Sequence, residues 1–202
     1  MVPDDGRLPG LAPSLPTSRD KLSGGGGGLS KLIFITGGAR SGKSRYAQQL
    51  ALQLSNNPVY LATARHWDDD FEKRIQRHQA ERDERWTSIE EEKNISGLSL
   101  TGKVVVMDCV TLWLTNFFTD NKYDIDISLQ QCKLEIDKLN TAENTFIIIS
   151  NELGMGMHAE TEIGRKFTDL QGWMNQYIAQ KAGKVIFMVS GIPMVIKTTP
   201  EQ

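Results

Sequence analysis

The sequence predicts an α/β fold in which a mostly parallel β-sheet carries helices on both faces. Three observations lead there. Five short apolar runs recur along the chain, dense in β-branched residues and without polar alternation, as strands covered on both faces require. Apolar residues at helical spacing fill the segments between them. A glycine-spaced turn, "GGARSGKS", joins the first run to the first helical segment. Strands alternating with helices close into parallel sheets through right-handed crossovers.

The runs are "LIFIT" (Leu32–Thr36), "VYLAT" (Val59–Thr63), "VVVMD" (Val104–Asp108), "FIIIS" (Phe146–Ser150) and "VIFMVS" (Val185–Ser190). In "SRYAQQLALQL", Ala47, Leu50, Ala51 and Leu54 form one stripe. Ile163, Phe167, Leu170, Met174 and Ile178 do the same in "IGRKFTDLQGWMNQYIAQ". The opening thirty residues are rich in Pro, Ser and Gly and end near five consecutive glycines. Such a stretch buries too little apolar surface to offset its ordering entropy. Residues 1–30 therefore read as a flexible tail, and residues 31–202 as a single domain with no internal repeat.

At 202 residues, with 39% hydrophobic and 24% charged residues, the chain has the balance of a soluble domain. Its net charge of −2 argues against a broad nucleic-acid or anionic-membrane footprint. The two cysteines, Cys109 and Cys132, suit a reducing compartment and cannot build a disulfide framework. No apolar run has the length of a membrane span, and "MVPDDGRLPG" lacks the apolar stretch of a secretory signal. The expected location is the cytoplasm.

The turn after the first run has the spacing of a P-loop: Gly37-x-x-x-x-Gly42-Lys43-Ser44 between a strand and a helix. Glycines let backbone N–H groups converge on phosphate oxygens, and the helix N-terminus adds the positive end of its dipole. Lys43 can reach β- and γ-phosphates, and the Ser44 hydroxyl suits Mg²⁺. Asp108 closes the third run, where P-loop proteins place a carboxylate in the magnesium shell.

Two further motifs suggest a regulatory GTPase, and their context opposes it. "NKYD" (Asn121–Asp124) matches a guanine reader but follows "TLWLTNFFTD" rather than a buried strand. "DLQG" (Asp169–Gly172) matches a switch motif but lies inside a periodic helix, and the two occur in reversed order.

"FEKRIQRHQAER" (Phe71–Arg82) holds one of three histidines. On a helix, Arg74, His78 and Arg82 would share one face, while Phe71, Ile75 and His78 would form an apolar stripe. Composition alone reads this segment as a solvated helix face. Flanking guanidiniums would also disfavour imidazolium, keeping His78 neutral and nucleophilic while offering forked donors to phosphate.

Taken together, "GGARSGKS", "RIQRHQAER", "DCVTLWLTN", "NELGMG", "DLQGWMNQ" and "SGIPMVIK" occur in one order. In this the chain, from Lys31 to Lys197, resembles the bifunctional adenosylcobinamide kinase/adenosylcobinamide-phosphate guanylyltransferase family of cobalamin assembly. The resemblance implies a cytoplasmic P-loop α/β enzyme that forms homo-oligomers, commonly trimers. It implies phosphorylation of adenosylcobinamide by ATP or GTP, with Mg²⁺. GMP would then pass from GTP to adenosylcobinamide phosphate through a GMP–histidine, giving adenosyl-GDP-cobinamide and pyrophosphate. That histidine falls at His78, with Lys43 as its catalytic partner.

By the same resemblance, nucleotide would be bound by Gly37, Gly38, Ala39, Arg40, Ser41, Gly42, Lys43 and Ser44. Ala62, Thr63, Ala64, Gln79, Ala80, Glu81 and Arg82 would add contacts, and Glu90 and Asp108 would complete the surroundings. The metal ligands would be Ser44 and Asp108.

The chain departs from the family at Arg77, where some relatives carry a second histidine, and at "MHAE" (Met157–Glu160) after "NELGMG". The second departure bears on the corrinoid contacts and the kinase half. A monofunctional guanylyltransferase, a simpler P-loop kinase and a GTP-binding switch stand as alternatives at this stage. His66 and His158 read as ordinary loop residues. The four tryptophans read as packing residues, with Trp113 the best candidate for an oligomer contact.

Overall fold

A computed structural model describes residues 32–65, 83–141 and 143–198. Its seven strands are β1 (Leu32–Gly37), β2 (Val59–Ala62), β3 (Thr87–Glu90), β4 (Val104–Asp108), β5 (Thr145–Ile149), β6 (Lys184–Val189) and β7 (Ile192–Thr198). They form one sheet in the order β3-β2-β4-β5-β1-β6-β7, parallel except for β7. The helices are α1 (Lys43–Leu54), α2 (Val110–Asp120), α3 (Ile125–Thr141) and α4 (Glu162–Lys181). A fold with β1 flanked by β5 and β6 brings the carboxyl ends of β2, β4, β5 and β1 to one edge.

Side-chain alternation along the strands sorts the core into two layers. Leu32, Phe34, Leu61, Val105, Met107, Phe146 and Ile148 point to the face covered by α2, α3 and α4, where Trp113, Cys132, Ile136, Leu170 and Met174 meet them. Ile33, Ile35, Val106, Ile147 and Ile149 point to the opposite face, against Ala47, Leu50 and Ala51 of α1. The expected helices on both faces are present, and all five expected strands form. On α4 the expected stripe is buried from Leu170 through Ile178, whereas Ile163, in its first turn, is 48% exposed.

Local chemistry sets the helix ends. Thr161 caps α4 by accepting a hydrogen bond from the Gly164 N–H at 3.0 Å. Asp124 Oδ1 accepts from the Ile127 N–H at 2.9 Å at the start of α3. The "NKYD" segment is therefore the α2–α3 connection, with Lys122 and Tyr123 at positive φ, and it continues a helix where a guanine reader would continue a strand. "DLQG" lies inside α4. Both placements exclude the switch geometry.

Two strands escaped the sequence pattern. β3 is four residues long and largely exposed at one edge, and β7 is an edge strand whose residues are mostly exposed. Neither has the buried apolar run that marked the others. Trp113 is a correction: its side chain is 0% exposed, its ring packs edge-on against Phe117, and its indole N–H donates to the Lys93 carbonyl at 3.1 Å. It is a core residue of α2 and unavailable to a partner. Helical spacing from Val110 places it on the inward stripe, which "LWL" read as a short apolar patch concealed.

Both cysteines are buried and unpaired. Burial pushes the Cys109 thiol up to about 12, reinforced by the Asp108 carboxylate, and raises that of Cys132 likewise. Neither forms a thiolate near neutral pH while the fold is intact. A colourimetric thiol reagent at pH 8 should accordingly find no reactive thiol in the native protein and two after denaturation.

Candidate nucleotide site at the carboxyl edge of the sheet

The chain leaves β1 through Gly37 and enters α1 through Gly42. Gly37 pairs with Met188 of β6, at φ 151°, and a Cβ there would stand 2.5 Å from the Met188 carbonyl oxygen. Gly42 has φ 91° and occupies the N-cap of α1 without any side-chain cap. The two-residue turn Ser190–Gly191, both at positive φ, joins β6 to β7. It docks on the loop: the Gly191 N–H donates to the Ser41 carbonyl at 3.0 Å. Backbone packing thus holds Gly37–Ser44 from below and from the side. No acidic residue occupies the first turn of α1 and no side chain caps it, so the positive end of its dipole lacks a side-chain counter-charge there, as an anion site requires. The Ser41 hydroxyl is buried with no hydrogen-bond partner, the condition of a donor that would serve a phosphate oxygen. Gly38, Ala39 and Arg40 are exposed at the tip, and Ser44 is half-buried.

Lys43 is only 6% exposed, and its ammonium donates to the Gly38 carbonyl at 2.6 Å. Burial lowers its basicity; Cys109, Asp108 and Glu152 pull in the opposite direction. The lysine is thus aimed back along the loop, with its charge favoured by the carboxylates of Asp108 and Glu152.

Strand register aligns the rest. Ala62 pairs with Glu90 on one side and Asp108 on the other, and Asp108 and Ile35 both pair with Ile149. Asp108 and Glu90 therefore stand at one level of the sheet, two strands apart, about 10 Å. Asp108 Oδ2 accepts from the Tyr60 hydroxyl at 2.9 Å. Glu90 is exposed at the end of β3. Thr63 is fully buried: its hydroxyl donates to the Cys109 carbonyl, and its own carbonyl accepts from Asn116 Nδ2. Its side chain is committed to joining β2 to the Asp108–Cys109 turn, with Ala62 and Ala64 half-buried beside it.

Sequence reasoning missed a polar cluster on the other flank of the loop. Beyond β5, the Ser150 N–H donates to the Ile35 carbonyl and the Glu152 N–H to the Gly37 carbonyl. Glu152 Oε1 accepts from Thr36 Oγ1 at 2.6 Å and Asn175 Nδ2 at 3.0 Å. Asn175 Oδ1 in turn accepts from Ser150 Oγ and Gln171 Nε2. "NELG" after a strand was the available signal, but the partners Thr36 and Asn175 are 116 and 23 residues away from Glu152.

Past Ala64, Arg65 pairs with Glu92 at 2.7 Å and with both oxygens of Asp120, which also accepts from Lys93. These pairs tie the exits of β2 and β3 to the end of α2. His78, Gln79, Ala80, Glu81 and Arg82, like His66, lie outside the described residues. His158 sits in the exposed loop before α4.

This arrangement makes the carboxyl edge the candidate nucleotide site, and a family model says which enzymes the chain belongs with. The model for cobinamide kinase / cobinamide phosphate guanyltransferase matches residues 33–196. The chain belongs to that family. Its similarity to curated relatives runs nearly end to end in those proteins. It is 36% identical to the bifunctional adenosylcobalamin biosynthesis protein CobP of Pseudomonas aeruginosa, across 83% of this chain and 98% of that one. It is 34% identical to the bifunctional adenosylcobalamin biosynthesis protein CobU of Escherichia coli, across 82% and 99%. Among solved structures it is similar to the flagellar accessory protein FlaH of Methanocaldococcus jannaschii. That TM-score is 0.43 at 14% identity, over 86% of this chain and 82% of that one, too loose to bear on the site. As a cobinamide kinase and cobinamide phosphate guanyltransferase, the enzyme handles nucleotide in both reactions.

Ser44 and Asp108 offer hard oxygen donors, which fit Mg²⁺ bound mainly through nucleotide phosphates. Among the described residues no cluster of three His, Cys, Asp or Glu side chains could cage a metal by itself.

Gly37→Ala should lower stability by about 1–3 kcal/mol through overpacking against the β6 backbone and weaken nucleotide binding with it. Urea unfolding and nucleotide titration check both. Asp120 gives a pH test. Hydrogen bonds from Arg65 and then Lys93 hold its carboxyl well below the ordinary range. A depressed folded value contributes stability above the unfolded value and loses it as pH falls. Because the group is partly exposed, Asp120→Asn should cost about 0.5–1 kcal/mol near neutrality, and the difference should shrink as the pH drops below 4 in denaturant titrations.

Proposed function

We propose that the enzyme works in adenosylcobalamin biosynthesis by two successive transfers at this edge. In the first, the γ-phosphate of ATP or GTP passes to the aminopropanol hydroxyl of adenosylcobinamide. In the second, GMP from GTP passes through a covalent GMP–His78 to adenosylcobinamide phosphate, yielding adenosyl-GDP-cobinamide and pyrophosphate. The observation that carries the reading is the uncapped start of α1 under a glycine loop, with the Lys43 ammonium folded back onto the Gly38 carbonyl. It supports the binding of a triphosphate by residues 37–44.

Lys43 neutralises charge on the departing pyrophosphate or diphosphate. Ser44 and Asp108 would hold Mg²⁺, which when bound neutralises phosphate charge and orients the chain of phosphoryl groups. Ala62, Thr63, Ala64, Glu90 and residues 79–82 complete the nucleotide surroundings. β2 ends at Ala62, on the same carboxyl edge as Gly37 and Asp108, and His78 would act from this edge on the α-phosphorus. There the neutral imidazole forms an N–P bond as the bond to pyrophosphate breaks. A phosphate oxygen of the corrinoid then displaces the histidine from phosphorus.

The same reading makes the enzyme a homo-oligomer, commonly a trimer, in the cytoplasm. Ile192, Met194, Val195 and Ile196, all more than half exposed on β7, support an assembly surface. Two buried free thiols support a reducing compartment. No helix among the described residues is long and apolar enough to cross a membrane.

Incubation with α-³²P-GTP and Mg²⁺ tests the covalent step. Acid-labile, alkali-stable label should remain on the denatured protein and be absent from His78→Ala. Wild-type protein that never retains label would rule out the histidyl route.

A further inference from the structure

The two transfers differ in one chemical need. An imidazole and a phosphate oxygen attack phosphorus with a lone pair and no proton to lose. A hydroxyl must give up its proton as it attacks, so only the kinase step calls for a base. Lys43 is a cation. Asp108 has one oxygen engaged by Tyr60 and stands where the metal reading needs it. Glu152 is the other carboxylate close enough to Lys43 to act on its charge.

Its geometry is that of an oriented group. Oε1 is held by the hydroxyl of Thr36 and the amide of Asn175, both buried side chains. Asn175 is itself locked by Ser150, Gln171 and the Asn151 carbonyl. Oε2 makes no hydrogen bond to any described residue, and the side chain is only half-buried. The backbone of Glu152 is bonded to Gly37, so this free oxygen is registered to the phosphate loop. Just beyond it, Met155 and Met157 are 73% and 96% exposed, an adaptable apolar surface suited to a broad macrocyclic acceptor.

We propose that Glu152 is the general base of the kinase reaction and that Thr36 and Asn175 are its positioning residues. The acceptor hydroxyl oxygen bonds to the γ-phosphorus, and the bridging bond to the β-phosphate breaks. Nucleoside diphosphate departs, and the hydroxyl proton passes to Glu152 Oε2, then to solvent. Guanylyl transfer makes no use of that oxygen. The inference rests on the kinase reading of the site, and its test separates the two.

The experiment compares wild type, Glu152→Gln and Thr36→Val in two assays: γ-³²P transfer from ATP or GTP to adenosylcobinamide, and GMP transfer from GTP to adenosylcobinamide phosphate. Kinase turnover in Glu152→Gln should fall about 100-fold or more beyond any fall in guanylyl transfer, the range of general base catalysis. Thr36→Val, which keeps the carboxylate and loosens its aim, should show the same bias at about tenfold. Equal losses in both assays would mean that Glu152 merely supports the loop, and overturn the proposal. So would a Glu152→Gln kinase rate within threefold of wild type. Should Glu152→Gln fail to fold, the bias in Thr36→Val decides, its absence counting against the base. A wild type with guanylyl transfer and no kinase activity would defeat the kinase reading itself, and the inference with it.

Discussion

Backbone packed directly on backbone governs this molecule. The phosphate loop lies so close to β6 that the first loop residue can carry no side chain, and the turn after β6 hydrogen-bonds to the loop's own carbonyl at Ser41. Loops are ordinarily the mobile parts of a fold. Here the loop inherits the rigidity of the strand next to it.

That rigidity matters because the edge must hold groups of opposite charge close together. Lys43 is buried at a cost in solvation, and the charges of Asp108 and Glu152 work against that cost. Each carboxylate is restrained through one oxygen: Asp108 by Tyr60, Glu152 by Thr36 and Asn175. Under the proposed function, a polyanionic nucleotide would add charge for the positive end of the α1 dipole to meet. Acidic residues near a triphosphate are tolerable only when something fixes where they point, and the restraining donors are largely buried side chains from distant elements.

Family membership explains why one edge carries such a mixture. A kinase and a guanylyltransferase both need a triphosphate held in line, but they attack different phosphorus atoms with different nucleophiles. The sheet order places the exits of β2, β4, β5 and β1 side by side. Arg65 is anchored by ion pairs at one flank, and the "NELG" segment is anchored by buried hydrogen bonds at the other.

Much of this was legible in the sequence because it is local. A buried parallel strand needs an unbroken apolar run, and a phosphate loop needs glycines at fixed offsets from a lysine, so β1, β2, β4, β5, β6 and Gly37–Ser44 could be read directly. β3 and β7 could not, since an exposed edge strand has no burial to imprint on its residues. Trp113 was misplaced because exposure depends on which stripe of a helix faces the sheet. The union of Thr36, Glu152 and Asn175 belongs to tertiary structure alone. It needs β5 to lie against β1 and α4 to cross behind them, and no spacing along the chain encodes a hydrogen bond between residues 116 positions apart.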